Sequence, residues 1–180
     1  MAKHLMVDIE TLGAGHLPVV ASVGLCSFDP ESGEIEKPHT LLIDVLAHEW
    51  ASVDVRTVLW WFKQERSVVA ATFEAGPRVS MSTALEEIEK LARVSDSVWA
   101  KGTDFDLRIL QDWWEQARPL DGTWPDRLVP YWKRRDARPM FDIIRDRLPQ
   151  RVGPKHDAGE DAYYQAQVVC KAFGLRKLIK

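Results

Sequence analysis

The stretch His4-Leu5-Met6-Val7-Asp8-Ile9-Glu10-Thr11 decides how this chain is read, because an apolar run ends there on two acids one residue apart. His4 to Val7 reads as a short buried strand, so Asp8 and Glu10 sit where it emerges. Side chains alternate across a strand, and positions two apart point the same way. Leu5, Val7 and Ile9 therefore share one face, and the two carboxylates stand together on the other. Like charges held that close are costly unless something positive lies between them, and a hard divalent cation such as magnesium is the usual solution. The competing reading is a strand end whose acids simply face water, which avoids burying unpaired charge.

The 180 residues suit one domain, 1–180, with a sizeable core. At 46% hydrophobic and 28% charged, the composition is that of an ordinary soluble globular protein. No stretch is long and apolar enough to span a bilayer, and Met1-Ala2-Lys3-His4 leads into the strand without the apolar core of a signal peptide. Cys26 and Cys170 lack metal-type spacing and make no disulfide framework, so they read as core thiols in a reducing cytoplasm. With 24 basic and 27 acidic residues the net charge is -3, whereas proteins that hold nucleic acid by charge alone are usually basic. That balance argues against a general coating protein. It leaves room for an enzyme that grips a few nucleotides through metal ions, since bound cations invert the local field.

Further along, residues 19–28 are rich in β-formers and close on a turn at Asp29-Pro30-Glu31-Ser32-Gly33. Thr40 to Asp44 follows as a third strand, giving an antiparallel meander. Helices then dominate. Val55, Val58, Leu59 and Phe62 form a helical stripe with Asp54 as cap, and Leu85, Ile88 and Leu91 mark a second helix. Ser97-Val98-Trp99-Ala100 reads as an inner strand, followed by a helix near Asp104. Ala137, Met140, Phe141 and Ile144 define a helix behind Asp136, and the last helix runs from about Asp157 to Phe173 with Ala162, Ala166, Val169 and Phe173 inward. Strands first, then alternating strand and helix, imply an α/β fold with a mixed sheet and helices on its faces.

Two further acidic stations accompany the first. In the helix after Lys101-Gly102-Thr103-Asp104-Phe105, Asp106 shares a face with Ile109, Leu110 and Trp113. It is either a functional acid or half of a Thr103–Asp106 capping box, with Asp104 as cap or solvent residue. The third station is Lys155-His156-Asp157-Ala158-Gly159-Glu160-Asp161. Asp157 with Glu160 makes a helix start, which leaves Asp161 free to be a ligand. His156 and Asp161 occupy the two positions that a hydrophobic staple would bring together, although a lone histidine is more often structural.

Taken in order, the Asp-x-Glu strand end, the Phe-Asp helix start and the His-x(4)-Asp helix start resemble the DEDDh branch of the DnaQ-like 3′–5′ exonucleases, which includes oligoribonuclease and RNase T. Pro18 through Ile35, with its Val-Gly-x-x-x-Phe-Asp run, looks like that family's second and third strand region. Thr57 to Gln64 resembles a Thr-x-x-Trp-Trp-x-x-Gln segment and Arg135-Asp136-Ala137-Arg138 an Arg-Asp-x-Arg segment, both similar to the mycobacterial-type 3′–5′ exoribonuclease subfamily. Pro139 departs from the threonine expected after the second arginine.

The resemblance implies an RNase H-like fold: a central mixed β-sheet, its first three strands antiparallel and the later ones parallel, flanked by helices. It implies a metal-dependent 3′–5′ exonuclease that acts on single-stranded RNA or RNA 3′ overhangs and releases nucleoside 5′-monophosphates. Asp8, Glu10, Asp106 and Asp161 would bind two divalent cations, Mg2+ or Mn2+, and neutral His156 would take the proton from the attacking water. Thr11 and Leu12 would touch the terminal nucleotide. Trp61 and Gln64 share a helix edge apart from the Val55–Phe62 stripe, where they would stack on and read a base; in the competing reading Trp60 and Trp61 are core or dimer-contact aromatics. Lys133-Arg134-Arg135 and Arg138 form the one dense basic patch, suited to phosphates or else a solvated helix start. The alternatives are a DNA exonuclease with the same site and a non-catalytic nucleic-acid-binding module on this fold. Relatives are often homodimers, and eight tryptophans leave room for an aromatic interface.

Overall fold

Strand β1 (His4–Thr11) is paired on both sides, which places the first two acids at the middle of a sheet. On one side it runs antiparallel to β2 (Val20–Asp29), with Asp8 opposite Gly24 and Glu10 opposite Ser22. On the other it runs parallel to β5 (Ser97–Ala100), which in turn pairs in parallel with β6 (Arg134–Asp136). The far edge of β2 takes two short antiparallel strands, β3 (Glu34–Ile35) and β4 (His39–Leu42). The expected third strand over Thr40 to Asp44 is β4, and the two-residue β3 that precedes it, separated by residues 36–38, is an addition to the sequence reading. The computed structural model describes residues 4–119 and 121–177.

The alternation along β1 places its two faces as the sequence suggests. Leu5, Val7 and Ile9 pack with Val23 and Leu25 under α3 (Met81–Val94) and α4 (Asp106–Ala117). Met6, Cys26, Phe28 and Trp99 pack on the opposite face against Ala162, Ala166 and Val169 of α6 (Ala158–Lys177). Both cysteines are free, and burial pushes the Cys26 thiol up to about 12, which suits an inert core residue. α5 (Arg138–Ile143) follows Asp136, whose carboxylate accepts a hydrogen bond from the Arg138 backbone N–H at 2.8 Å. Among the described residues no helix is long and apolar enough to cross a membrane.

One helix presents the opposite face from the one its sequence suggests. α1 (Val55–Trp61) begins at Asp54, whose side chain caps it by accepting from the Arg56 N–H at 2.7 Å. Yet Val55, Leu59 and Phe62 are exposed, Phe62 by 77%, while Trp61 is only 3% exposed. The indole N–H of Trp61 donates to the Thr11 carbonyl at 2.9 Å, and its ring meets Phe73 of α2 (Arg66–Phe73) edge-on. Burying the largest side chain, with its one polar atom satisfied, outweighs burying three smaller ones in so short a helix.

Gly24 sets the distance between sheet and α6. A Cβ there would fall inside the carbonyl of Ala158 and 2.6 Å from the Gly159 nitrogen. Both are backbone atoms, which cannot swing aside as a side chain tip can. Gly24→Ala should therefore cost stability at the upper end of the roughly 1–3 kcal/mol typical of overpacking. Urea denaturation would measure it; an unchanged midpoint would mean that α6 is free to lift from the sheet.

Candidate active site

Three separate elements deliver the acids. β1 carries Asp8 and Glu10. Asp106 is the first residue of α4, and instead of capping that helix its Oδ1 accepts the Ile9 backbone N–H at 3.1 Å. Parallel pairing of β1 with β5 ends at Met6 and Trp99, so the Ile9 donor lies beyond the ladder and is satisfied by the acid. The competing reading of Asp106, a Thr103–Asp106 capping box, is absent: the helix starts from Phe105 with no side-chain cap, and Asp104 is solvent-exposed.

The third element is the start of α6. Asp157 caps it, its Oδ1 accepting the Glu160 N–H at 3.1 Å. His156 adopts a left-handed backbone with φ of 65°, one of the few non-glycine types that tolerates it. That turn lets its backbone N–H donate to Asp161 Oδ2 at 2.7 Å while its ring reaches back, Nδ1 lying 3.8 Å from Glu10 Oε1. Trp60 packs edge-on against the imidazole, the ring centroids 4.7 Å apart. Asp8, Glu10, Asp106, His156 and Asp161 thus line one cleft of about 240 Å³, together with Lys101, Phe105 and Gln165. Ligand atoms of Glu10, His156 and Asp161 lie within 4.8 Å of one another.

The electrostatics are those of crowded acids out of water. Burial, then the charges of Asp106, Glu10 and Asp161, raise the Asp8 carboxyl well above its ordinary range. Burial and the neighbouring Asp161 push Glu10 up to about 8. Burial pushes Asp106 up to about 7, against the Ile9 hydrogen bond and the Arg138 charge, which lower it. Burial lowers His156, so its imidazole stays neutral at pH 7. A cluster of half-buried oxygen donors around the buried Asp106, repelling one another, fits hard divalent cations such as Mg2+ or Mn2+, whose charge would remove the repulsion.

Three residues near the cleft escaped the sequence reading. Arg151 pairs with Asp161 Oδ1, donates to the Pro154 carbonyl at 3.0 Å and stacks over Tyr164 at 4.5 Å. It belongs to an irregular loop, where no periodicity marks it. Lys101 lines the cleft and is otherwise exposed. Gln165 donates to Asp8 Oδ1 at 2.7 Å, and a polar residue one turn after Asp161 in a stripe of alanines and valine was the available signal.

The anticipated substrate contacts fare unevenly. Thr11 is buried, and its carbonyl is taken by Trp61. Leu12 pairs through its N–H with Val19 and through its carbonyl with Asp54, at 2.9 and 2.8 Å. Trp61 has no exposed ring face to stack on a base, and the Gln64 amide donates to the Trp60 carbonyl at 3.0 Å. The basic patch disperses: Lys133 donates to the Ala92, Arg93 and Ser95 carbonyls and Arg134 to that of Val129. Arg135 is exposed, with its guanidinium on the Trp132 and Arg134 carbonyls. Of the four, Arg138 is the one whose charge reaches an acid of the cleft, Asp106.

With this geometry in hand, the pattern of the 3′–5′ exoribonuclease Rv2179c-like domain matches residues 3–173. A search of curated proteins gives no match. Among solved structures, the nuclease domain of 3′hExo, a DEDDh family member bound to rAMP, superposes with a TM-score of 0.61 at 8% identity, over 95% of this chain and 91% of its own. Cell-death related nuclease 4 gives 0.57 at 14% identity, over 96% and 64%. Exonuclease I of E. coli with a dA16 oligonucleotide gives 0.59 at 14% identity, over 99% of this chain but 43% of that protein, so the chain spans less than half of its length. At such identities the superpositions establish a shared fold.

The raised carboxyls carry a pH signature. An unfolded glutamate ionises near 4.5, whereas folded Glu10 holds its proton to about 8. Between those values the unfolded chain releases a proton that the folded one keeps, so each step upward in pH favours unfolding. In EDTA the melting temperature should accordingly fall from pH 5 to pH 8, less steeply in Glu10→Gln, and Mn2+ should raise it more at pH 8 than at pH 5. Thermal melts across that range check this. Equal slopes for wild type and Glu10→Gln would mean that Glu10 ionises freely.

Proposed function

The chain belongs to the family of Rv2179c-like 3′–5′ exoribonuclease domains, and from that premise we propose that it removes nucleotides stepwise from the 3′ end of single-stranded RNA or RNA 3′ overhangs. The observation that carries this is the convergence of Asp8, Glu10, Asp106, Asp161 and His156, from three distant segments, on one cleft. Asp8, Glu10, Asp106 and Asp161 would hold two divalent cations, Mg2+ or Mn2+. Bound there, the ions supply Lewis acidity and neutralise charge that grows on the scissile phosphate.

The protein's own groups account for the remaining steps. A water attacks the terminal phosphodiester; the bond from phosphorus to the 3′ oxygen breaks and that oxygen takes a proton from solvent, leaving a nucleoside 5′-monophosphate and a new 3′ hydroxyl. His156 is neutral at working pH and takes the proton of the attacking water. Since Nδ1 faces Glu10, Nε2 is the nitrogen that accepts it. The Asp161 contact to the His156 backbone fixes where the imidazole stands, and Trp60 limits its rotation. Lys101 at the cleft and Arg138 beside Asp106 would offer positive charge to a substrate phosphate. RNA is favoured by the family to which the chain belongs. A DNA substrate is the second reading, supported by the fold shared with an exonuclease I that binds dA16.

Matched single-stranded RNA and DNA, labelled at the 3′ or 5′ end and digested with Mn2+, Mg2+ or EDTA, would test both. Stepwise 3′ shortening of RNA is expected, faster than that of DNA and abolished by EDTA and by Asp8→Ala. His156→Ala should lower kcat by about 10²–10⁴-fold, the range for a lost general base. Faster digestion of DNA would reassign the substrate. Bound but uncut oligonucleotide with every cation would leave a binding module.

A further inference from the structure

Gln165 lies on the buried face of α6, in register with Ala162, Ala166 and Val169, and is only 3% exposed. Packing alone would favour an apolar side chain there, as at its three neighbours. Its Nε2 instead donates to Asp8 Oδ1 at 2.7 Å, while its Oε1 is buried with no hydrogen-bond partner among the described residues. A buried acceptor left unpaired costs about 1–3 kcal/mol. The amide therefore gives up stability in exchange for contact with a single atom, the Oδ1 of an acid that also faces Glu10, Asp106 and Asp161.

We propose that Gln165 is a positioning residue of the metal centre, one that pins Asp8 Oδ1 so that the carboxylate presents a fixed edge to the divalent cations. The inference rests on the metal-centre reading of the cleft. Hydrogen bonds that orient ligating carboxylates commonly matter by 10–100-fold in metal affinity. Asp8 stands on the central strand and has no other side-chain donor among those described, since Ile9 N–H serves Asp106 and Arg151 serves Asp161. Gln165 is the organic donor that Asp8 has.

The test separates this role from packing. Gln165→Met keeps the length and loses the amide, and Gln165→Leu loses it with a branched chain one atom shorter. Each would be melted in EDTA and titrated with Mn2+ by calorimetry beside the wild type. Melting temperatures in EDTA at or above wild type, with Mn2+ bound about 10–100-fold more weakly, are the expected result. Wild-type Mn2+ affinity in either folded variant would overturn the proposal. So would a marked drop of both melting temperatures in EDTA, which would make Gln165 a structural residue. Failure of the wild type itself to bind Mn2+ would instead overturn the metal-centre reading, and the two failures are thereby told apart.

Discussion

A gap the width of a glycine, between β2 and the first turn of α6, is the contact on which the site depends. Gly24 is the residue opposite Asp8 across the β1–β2 ladder. Because it carries no side chain, the backbone of Ala158 and Gly159 rests directly on the sheet at that rung. His156 and Asp161 are thereby lowered onto the same level as Asp8 and Glu10. Gly159 repeats the device on the other side of the contact, where a Cβ would meet Thr40 of β4. Helices on sheets ordinarily ride about 10 Å above them on a layer of side chains, as packed layers do. Here the layer is locally removed, so groups more than 140 residues apart in sequence, such as Asp8 and Gln165, come within 2.7 Å.

That proximity has an electrostatic consequence which the rest of the cleft manages. Four acids drawn partly out of water repel one another, and each is met by a different compensating group. Asp106 takes a backbone N–H that the end of the β1–β5 ladder leaves over; Asp161 takes Arg151 and the His156 N–H; Asp8 takes the Gln165 amide. Glu10 has the least, a neutral imidazole at 3.8 Å, and its carboxyl stays raised to about 8. The partners lower the cost of assembling the cluster without cancelling it. A cluster left under-compensated in this way retains affinity for cations, whereas one fully paired by arginines would have none to spare.

Much of this was legible in the sequence, for a reason that differs by element. A two-residue period along His4–Thr11 assigns its faces unambiguously, because a central strand is packed on both sides. Asp157 and the Ala162/Ala166/Val169 stripe are local signals, and the helix start and buried face follow them. In α1, by contrast, seven residues make barely two turns, and two apolar faces compete; only the Thr11 carbonyl, distant in sequence, decides for Trp61. β6 reads as a basic run because an edge strand needs only its backbone to pair. Lys133, just before β6, caps carbonyls at the end of α3 and Arg134 that of Val129, an arrangement that no spacing rule announces.

The left-handed turn at His156 is where these constraints meet. The chain must leave the Arg151 loop, expose one N–H to Asp161, and enter α6 at Asp157 within two residues. The left-handed conformation costs roughly 1 kcal/mol for a non-glycine residue, and three contacts over-determine it: the Asp161 hydrogen bond, the Trp60 ring and the Glu10 carboxylate. Glycine would adopt the turn more cheaply but would bring no imidazole to the cleft, and a β-branched residue would not adopt it. A histidine at a position whose backbone disfavours most side chains is thus held by its surroundings, and its ring enters the cleft between Trp60 and Glu10.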